Sequence, residues 1–207
     1  MVQSYEISEI RPRTGLDSFF DGKPPKLWGS GELALLTGKL LGIISARQIG
    51  SDLALRSSQL LKQLTSLKEA TFIGGWHSPL EAEALRILLV TQAAIVFCVP
   101  KSLSRFIPSA EVNTRVNEGQ ALLLTHCSPK AKRISRDASL RRNQLVVGLS
   151  SAVLVLAAPK GSHSLDLAKS ALRQGKLVLT PEHPTNKDLL ASGALTATLA
   201  NIQRALR

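Results

Sequence analysis

The residues of this chain best suited to chemistry are cations, hydroxyls and glycines gathered at short turns. Ser45-Ala46-Arg47-Gln48-Ile49-Gly50 follows an apolar run and sets a guanidinium beside a turn that opens a helical segment. Helix N-termini offer free N–H groups to anions, and arginine grips phosphate through two parallel hydrogen bonds. Lys160-Gly161-Ser162-His163-Ser164 has the composition of a phosphate cradle at a second helix start. In Gly74-Gly75-Trp76-His77-Ser78-Pro79-Leu80-Glu81 the glycines permit close backbone approach, Trp76 could stack a base, and His77 could donate to phosphate or exchange a proton. Arg142-Asn143 belongs to the end of a helix that faces the same ligand.

Each signal has a plainer reading. Arg47 also fits a surface arginine over a loop, Arg142 a solvated face, and Trp76 a half-buried residue of a tight turn. Glu81 is better read as a helix cap than as a catalytic carboxylate, because Ser78, Pro79 and Glu81 together spell a capping box. The spacing GxxxxGK[ST] is missing, as are GxGxxG and the GxSxG elbow, so neither Ser162 nor Ser164 reads as a nucleophile. His126, His163, His183, Cys98 and Cys127 lack metal-ligand spacing; no metal and no cofactor is implied.

These turns need a scaffold, and the apolar pattern supplies one. Short β-type runs at 26–28, 40–45, 71–74, 93–99, 121–125, 152–157 and 177–180 alternate with helical patterns at 49–68, 79–90, 110–117, 137–149 and 165–174. Runs of Val, Ile and Leu without polar alternation are buried on both faces, the mark of a parallel sheet between helical layers. The expectation is an α/β, extended Rossmann-like, doubly wound and mostly parallel sheet with helices on both faces. Ligands of such sheets sit at the carboxyl ends of the strands, where all the turns above fall. Residues 1–23 read as an irregular N-terminal arm, 24–207 as one domain, and 195–207 as an amphipathic C-terminal helix.

Charge narrows the partner. Lys plus Arg number 26 against 15 Asp plus Glu, a formal charge of +11 with a pI near 10.2. Lys130, Lys132, Arg133, Arg136, Arg141 and Arg142 face the single acid Asp137 within residues 130–142, a footprint for polyanions. Two cysteines without a short-range motif favour a reducing cytoplasm over a disulfide framework. The first 30 residues lack a signal-peptide core, and the longest apolar run, 93–99, is too short to span a membrane.

The ordered set of motifs resembles the DprA/Smf family of DNA-processing proteins. Pro24-Pro25-Lys26-Leu27-Trp28-Gly29 is similar to its entry strand, and Leu41-Gly42-Ile43-Ile44-Ser45-Ala46-Arg47 to its first Rossmann strand. Arg142-Asn143-Gln144-Leu145-Val146-Val147-Gly148-Leu149-Ser150 follows the family's RN…GLS pattern, and the likeness continues to Gly193-Ala194. The resemblance implies single-stranded DNA or nucleotide phosphates held by Arg47, Arg142, Lys160 and Ser162, a homodimer, and a RecA-type recombinase as partner. It implies a binding protein rather than an enzyme. Two departures stand out: Ser162-His163-Ser164 replaces a Ser-Gly-Ser triplet, and 74–81 replaces a glycine-rich segment. The runner-up is a nucleotide-binding sensor or a LOG-like nucleoside monophosphate phosphoribohydrolase using Glu81 or Asp166; the match of 161–166 to that family's double-glycine motif is faint.

Overall fold

The computed structural model describes residues 5–7, 25–67, 69–131 and 135–207. Lys132 and Arg133, Pro24, and the N-terminal arm apart from 5–7 lie outside the described residues. The strands are β1 (Tyr5–Ile7), β2 (Leu27–Gly31), β3 (Lys39–Ile44), β4 (Ala70–Gly74), β5 (Ala94–Cys98), β6 (Ala121–Thr125), β7 (Ala152–Val155), β8 (Leu177–Thr180) and β9 (Leu195–Thr196). The helices are α1 (Ser51–Leu64), α2 (Pro79–Val90), α3 (Ala110–Asn117), α4 (Arg136–Leu149), α5 (His163–Arg173), α6 (Lys187–Leu190) and α7 (Leu199–Ala205). One sheet joins all described strands in the order β1-β2-β6-β5-β4-β3-β7-β8-β9.

From β6 to β9 every pairing in the sheet is parallel, with Ile43 beside both Gly74 and Leu154 and Gly74 beside Phe97. The pairs β1–β2 and β2–β6 are antiparallel. The chain winds from β3 outward to β6, then α4 carries it back across β5, β4 and β3 so that β7 lands on the other side of β3. Winding reverses between β3 and β7, and at such a switch point the carboxyl-end loops part to leave a crevice.

Burial explains why the Val/Ile/Leu runs are continuous. Leu41 and Ile43 pack with Leu53, Leu61, Phe72, Leu80 and Leu154 under α1, α2 and α7. Leu40 and Ile44 pack with Ile73, Leu145, Val146, Val153 and Leu165 under α4 and α5. Successive residues of β3 thus serve opposite helical layers, and neither face tolerates a polar residue. At Gly42 a Cβ would come within 2.2 Å of the Ser150 hydroxyl, so α4 lies against β3 only because that position is bare.

The α/β expectation holds, with three corrections at the margins. Tyr5–Ile7 within the supposedly irregular arm is an edge strand. The tail is not one helix: Leu195–Thr196 extends the sheet beside β8, and the helix runs only over Leu199–Ala205. The helix expected at 49–68 stops at Leu64.

Candidate functional site

Beyond the carboxyl ends of β3, β4 and β7 lies a cavity of about 540 Å³. Three helix N-termini open onto it. Ser78 caps α2, accepting from Glu81 N at 3.3 Å; Ser135 caps α4, accepting from Ala138 N at 3.0 Å; Ser162 caps α5, accepting from Leu165 N at 3.2 Å. Ser78, Ser135 and Ser162 all line the cavity, so the positive ends of three helix dipoles converge there. Arg47, Arg136, His77, His163 and Asn143 complete much of its polar wall.

Arg142 is the central residue. Its side chain enters from α4, is only 4 % exposed, and donates from Nη1 to Gly75 O at 3.0 Å. Its Nε has no hydrogen-bond partner, and no described carboxylate forms an ion pair with it. Burial pulls the guanidinium pKa below its ordinary value; Glu81 opposes this, and the neighbouring Arg47 adds to it. Two cations near one another in a concave, partly desolvated site cost free energy that an arriving anion recovers.

Glu81 does not serve as that anion. Its carboxylate, 4 % exposed, accepts Ser45 N at 2.9 Å on Oε1, and His77 N at 2.9 Å and Ser78 N at 3.4 Å on Oε2. The capping box expected from sequence is present, and the same carboxylate also ties down the turn after β3 that carries Arg47. Both oxygens are spent on backbone. Below Arg142, burial pushes the Cys98 thiol up to about 12, which keeps it neutral.

Seven of the residues singled out from sequence meet around the cavity: Ser45, Arg47, His77, Arg142, Asn143, Ser162 and Ser164. Ser164 is held by donating to Ala157 O at 3.0 Å and sits 3.0 Å from the Ser162 hydroxyl. Lys160 and Gly161 form the exposed tip of the turn and are not in the lining. Gly74, Gly75 and Trp76 are buried instead.

Trp76 corrects the stacking role expected of it. It is 6 % exposed and packed into the core beside Leu80 and Phe72, so no base reaches its ring. The glycines serve the chain's own side chains: a Cβ on Gly74 would meet the Trp76 ring at 2.9 Å, and one on Gly75 would meet Arg142 Nη1 at 2.1 Å. The sequence reading also missed Ser135, Arg136 and Ser139 as lining residues. The sign available for them was a serine cap closing a basic run, Lys130 to Arg136, that enters α4.

A sequence profile described as DNA recombination-mediator protein A matches residues 13–205. The chain belongs to that family. Among solved structures it is similar to DNA processing protein A (DprA) from Streptococcus pneumoniae, with a TM-score of 0.79 and 20 % identity, covering 99 % of this chain and 74 % of that one. DNA processing protein A from Helicobacter pylori, described for its single-stranded DNA binding mode, gives a TM-score of 0.76 at 22 % identity, covering 99 % of this chain and 96 % of that one. A molybdenum cofactor carrier protein from Chlamydomonas reinhardtii shares the fold more loosely, at a TM-score of 0.53 and 13 % identity over 82 % of this chain and 98 % of that one. No curated protein sequence matches the chain. The matched span includes the RN…GLS stretch of α4, whose Arg142 and Asn143 stand in the wall of this cavity.

Proposed function

We propose that this chain binds single-stranded DNA, gripping backbone phosphates in the cavity with Arg142 and Arg47 and with the N-termini of α4 and α5. The observation that carries the reading is Arg142: a guanidinium 4 % exposed, with one backbone acceptor, an unpartnered Nε and no ion pair among the described residues. Such a charge is costly to bury unless a phosphate completes it. Membership of the recombination-mediator family and the single-stranded DNA binding described for the Helicobacter pylori protein support the ligand class. On the same reading the chain acts in recombination as a non-enzymatic cytoplasmic homodimer beside a RecA-type recombinase. No helix among the described residues is long and apolar enough to cross a membrane.

The hydrolase alternative finds neither of its two carboxylates free in the cavity. Glu81 spends both oxygens on backbone N–H groups, and Asp166 on α5 is outside the lining. The test is fluorescence anisotropy with labelled oligo-dT at two salt concentrations, on the wild type, Arg47→Ala and Arg142→Met. Each lost phosphate contact lowers the salt slope by about 0.7 for a single strand. Circular dichroism checks that the fold persists. Variants that bind like the wild type, with the same slope, refute the assignment.

A further inference from the structure

Two loops at the carboxyl edge of the sheet carry charge that the cavity does not use. The loop after β5 holds Lys101 and Arg105, and the loop after β6 holds Lys130; residues 99–110 and 119–136 contain no Asp or Glu. None of these three cations has a carboxylate partner among the described residues. Charge of one sign without relief repels itself, and it persists in a fold where an anion offsets it.

The loops form one stiff rim rather than two floppy tips. The buried Thr125 hydroxyl lies 2.7 Å from Val99 O and 3.0 Å from Lys101 O, and accepts Cys127 N at 3.0 Å. Buried Ser102 reaches Pro129 O at 3.3 Å, lacing the first loop to the second. Lys101 Nζ stands 5.4 Å from the Phe106 ring centroid, and that ring packs edge-on against Phe97 at 5.2 Å. Beside them Ile107 is 90 % exposed, an apolar surface interleaved with the cations.

The rim adjoins the cavity. β5 lies beside β4 and β4 beside β3, so two strand spacings, about 10 Å, separate the end of β5 from the turn that carries Arg47. Lys130 comes only five and six residues before Ser135 and Arg136, which line the cavity at the start of α4. A mononucleotide held at Arg142 is too short to use both places, whereas a polymer of phosphodiesters can.

We propose that this rim is a second phosphate-binding track, continuous with the cavity, that takes the backbone of one nucleic-acid strand several nucleotides long. The proposal rests on the reading of the cavity as a phosphate site. The test uses the whole chain and a length series, dT3, dT6 and dT12, competing against labelled dT20 at 50 and 200 mM salt. The wild type should gain at least about tenfold in affinity from dT3 to dT12, since more phosphates are neutralised. The triple variant Lys101→Ala, Arg105→Ala, Lys130→Ala should bind dT3 within about twofold of wild type and lose about tenfold on dT12. Its salt slope with dT12 should shrink by about 2, for three contacts of about 0.7 each. Arg105→Glu alone, at an exposed position, should show the same length dependence in weaker form. Equal losses at every length, or none, overturn the track while leaving the cavity in place. A wild-type protein that binds no oligonucleotide removes both.

Discussion

Glu81→Ala should be among the most damaging single changes at the rim of the cavity. The carboxylate accepts two backbone N–H groups at 2.9 Å, from Ser45 and His77, and a longer one at 3.4 Å from Ser78. Hydrogen bonds to a charged group contribute roughly 1.5–3 kcal/mol each, and at 4 % exposure water poorly replaces the acceptor. Counting only the two short bonds gives a loss of about 4 kcal/mol, or roughly 8–16 °C in Tm for a domain of this size. Glu81→Gln keeps one acceptor but turns its amide toward a backbone N–H, so about half that loss is expected. Urea denaturation at neutral pH measures both. Glu83→Ala serves as control: its partner Arg86, at 2.8 Å, is 65 % exposed, so the change should be under about 1 kcal/mol. The same variants separate two effects on DNA. Removing a negative charge raises the potential around Arg142, but freeing Ser45 loosens the turn that aims Arg47. If aim dominates, Glu81→Gln binds oligo-dT more weakly. A Glu81→Ala loss under about 1 kcal/mol, or a gain in DNA affinity for Glu81→Gln, would refute the reasoning.

Two further perturbations follow. Gly75→Ala puts a Cβ 2.1 Å from Arg142 Nη1, so the guanidinium must move while the backbone keeps its shape; oligo-dT affinity should fall about tenfold with only about 1 kcal/mol lost in urea denaturation. His126 is held neutral by burial, then by the Arg141 cation against the pull of Asp137, which lowers its pKa from 6.5 to about 4. The unfolded chain therefore binds this proton first, and stability falls as pH drops from about 6.5 to about 4, then levels off. The displacement sets a ceiling of about 3 kcal/mol, discounted to about 2 kcal/mol for partial solvent contact. Urea midpoints at pH 7 and pH 4.5 should converge in His126→Phe; an unchanged pH dependence would rule this group out.

The sheet was legible because it is buried on both sides. Leu40, Leu41, Ile43 and Ile44 are each at most 2 % exposed, and a run that must satisfy two helical layers has little freedom in its sequence. The edges were not legible for the opposite reason. Tyr5–Ile7 and Leu195–Thr196 are three and two residues long, too short to show a period, and their strand state comes from the neighbour they pair with. The capping box at Ser78 was readable because Ser, Pro and Glu at that spacing each satisfy a backbone requirement within one turn. That Glu81 also accepts Ser45 N, 36 positions away, depends on the sheet bringing two turns together, which no local pattern encodes.

The glycine pair and the arginine show how the two kinds of information combine. Gly74-Gly75 announces that something comes close to the backbone, but a bare Cα does not say whether a ligand or the chain itself arrives. Here the chain does: Trp76 fills one position and Arg142 the other. The clue to Arg142 lay in its own helix. Ala138, Arg142, Leu145, Val146 and Leu149 recur at spacings of three and four, so they share the stripe of α4 that packs on the sheet, and all five are buried. A guanidinium in an apolar stripe, with no acid on that stripe to pair with it, breaks the pattern that folding alone would select. The structure shows the stripe ending at the carboxyl edge of β4, where the crevice opens. An interior position that breaks the rules of the core, located where the topology leaves a gap, singles out the proposed phosphate site more sharply than the surface charge that surrounds it.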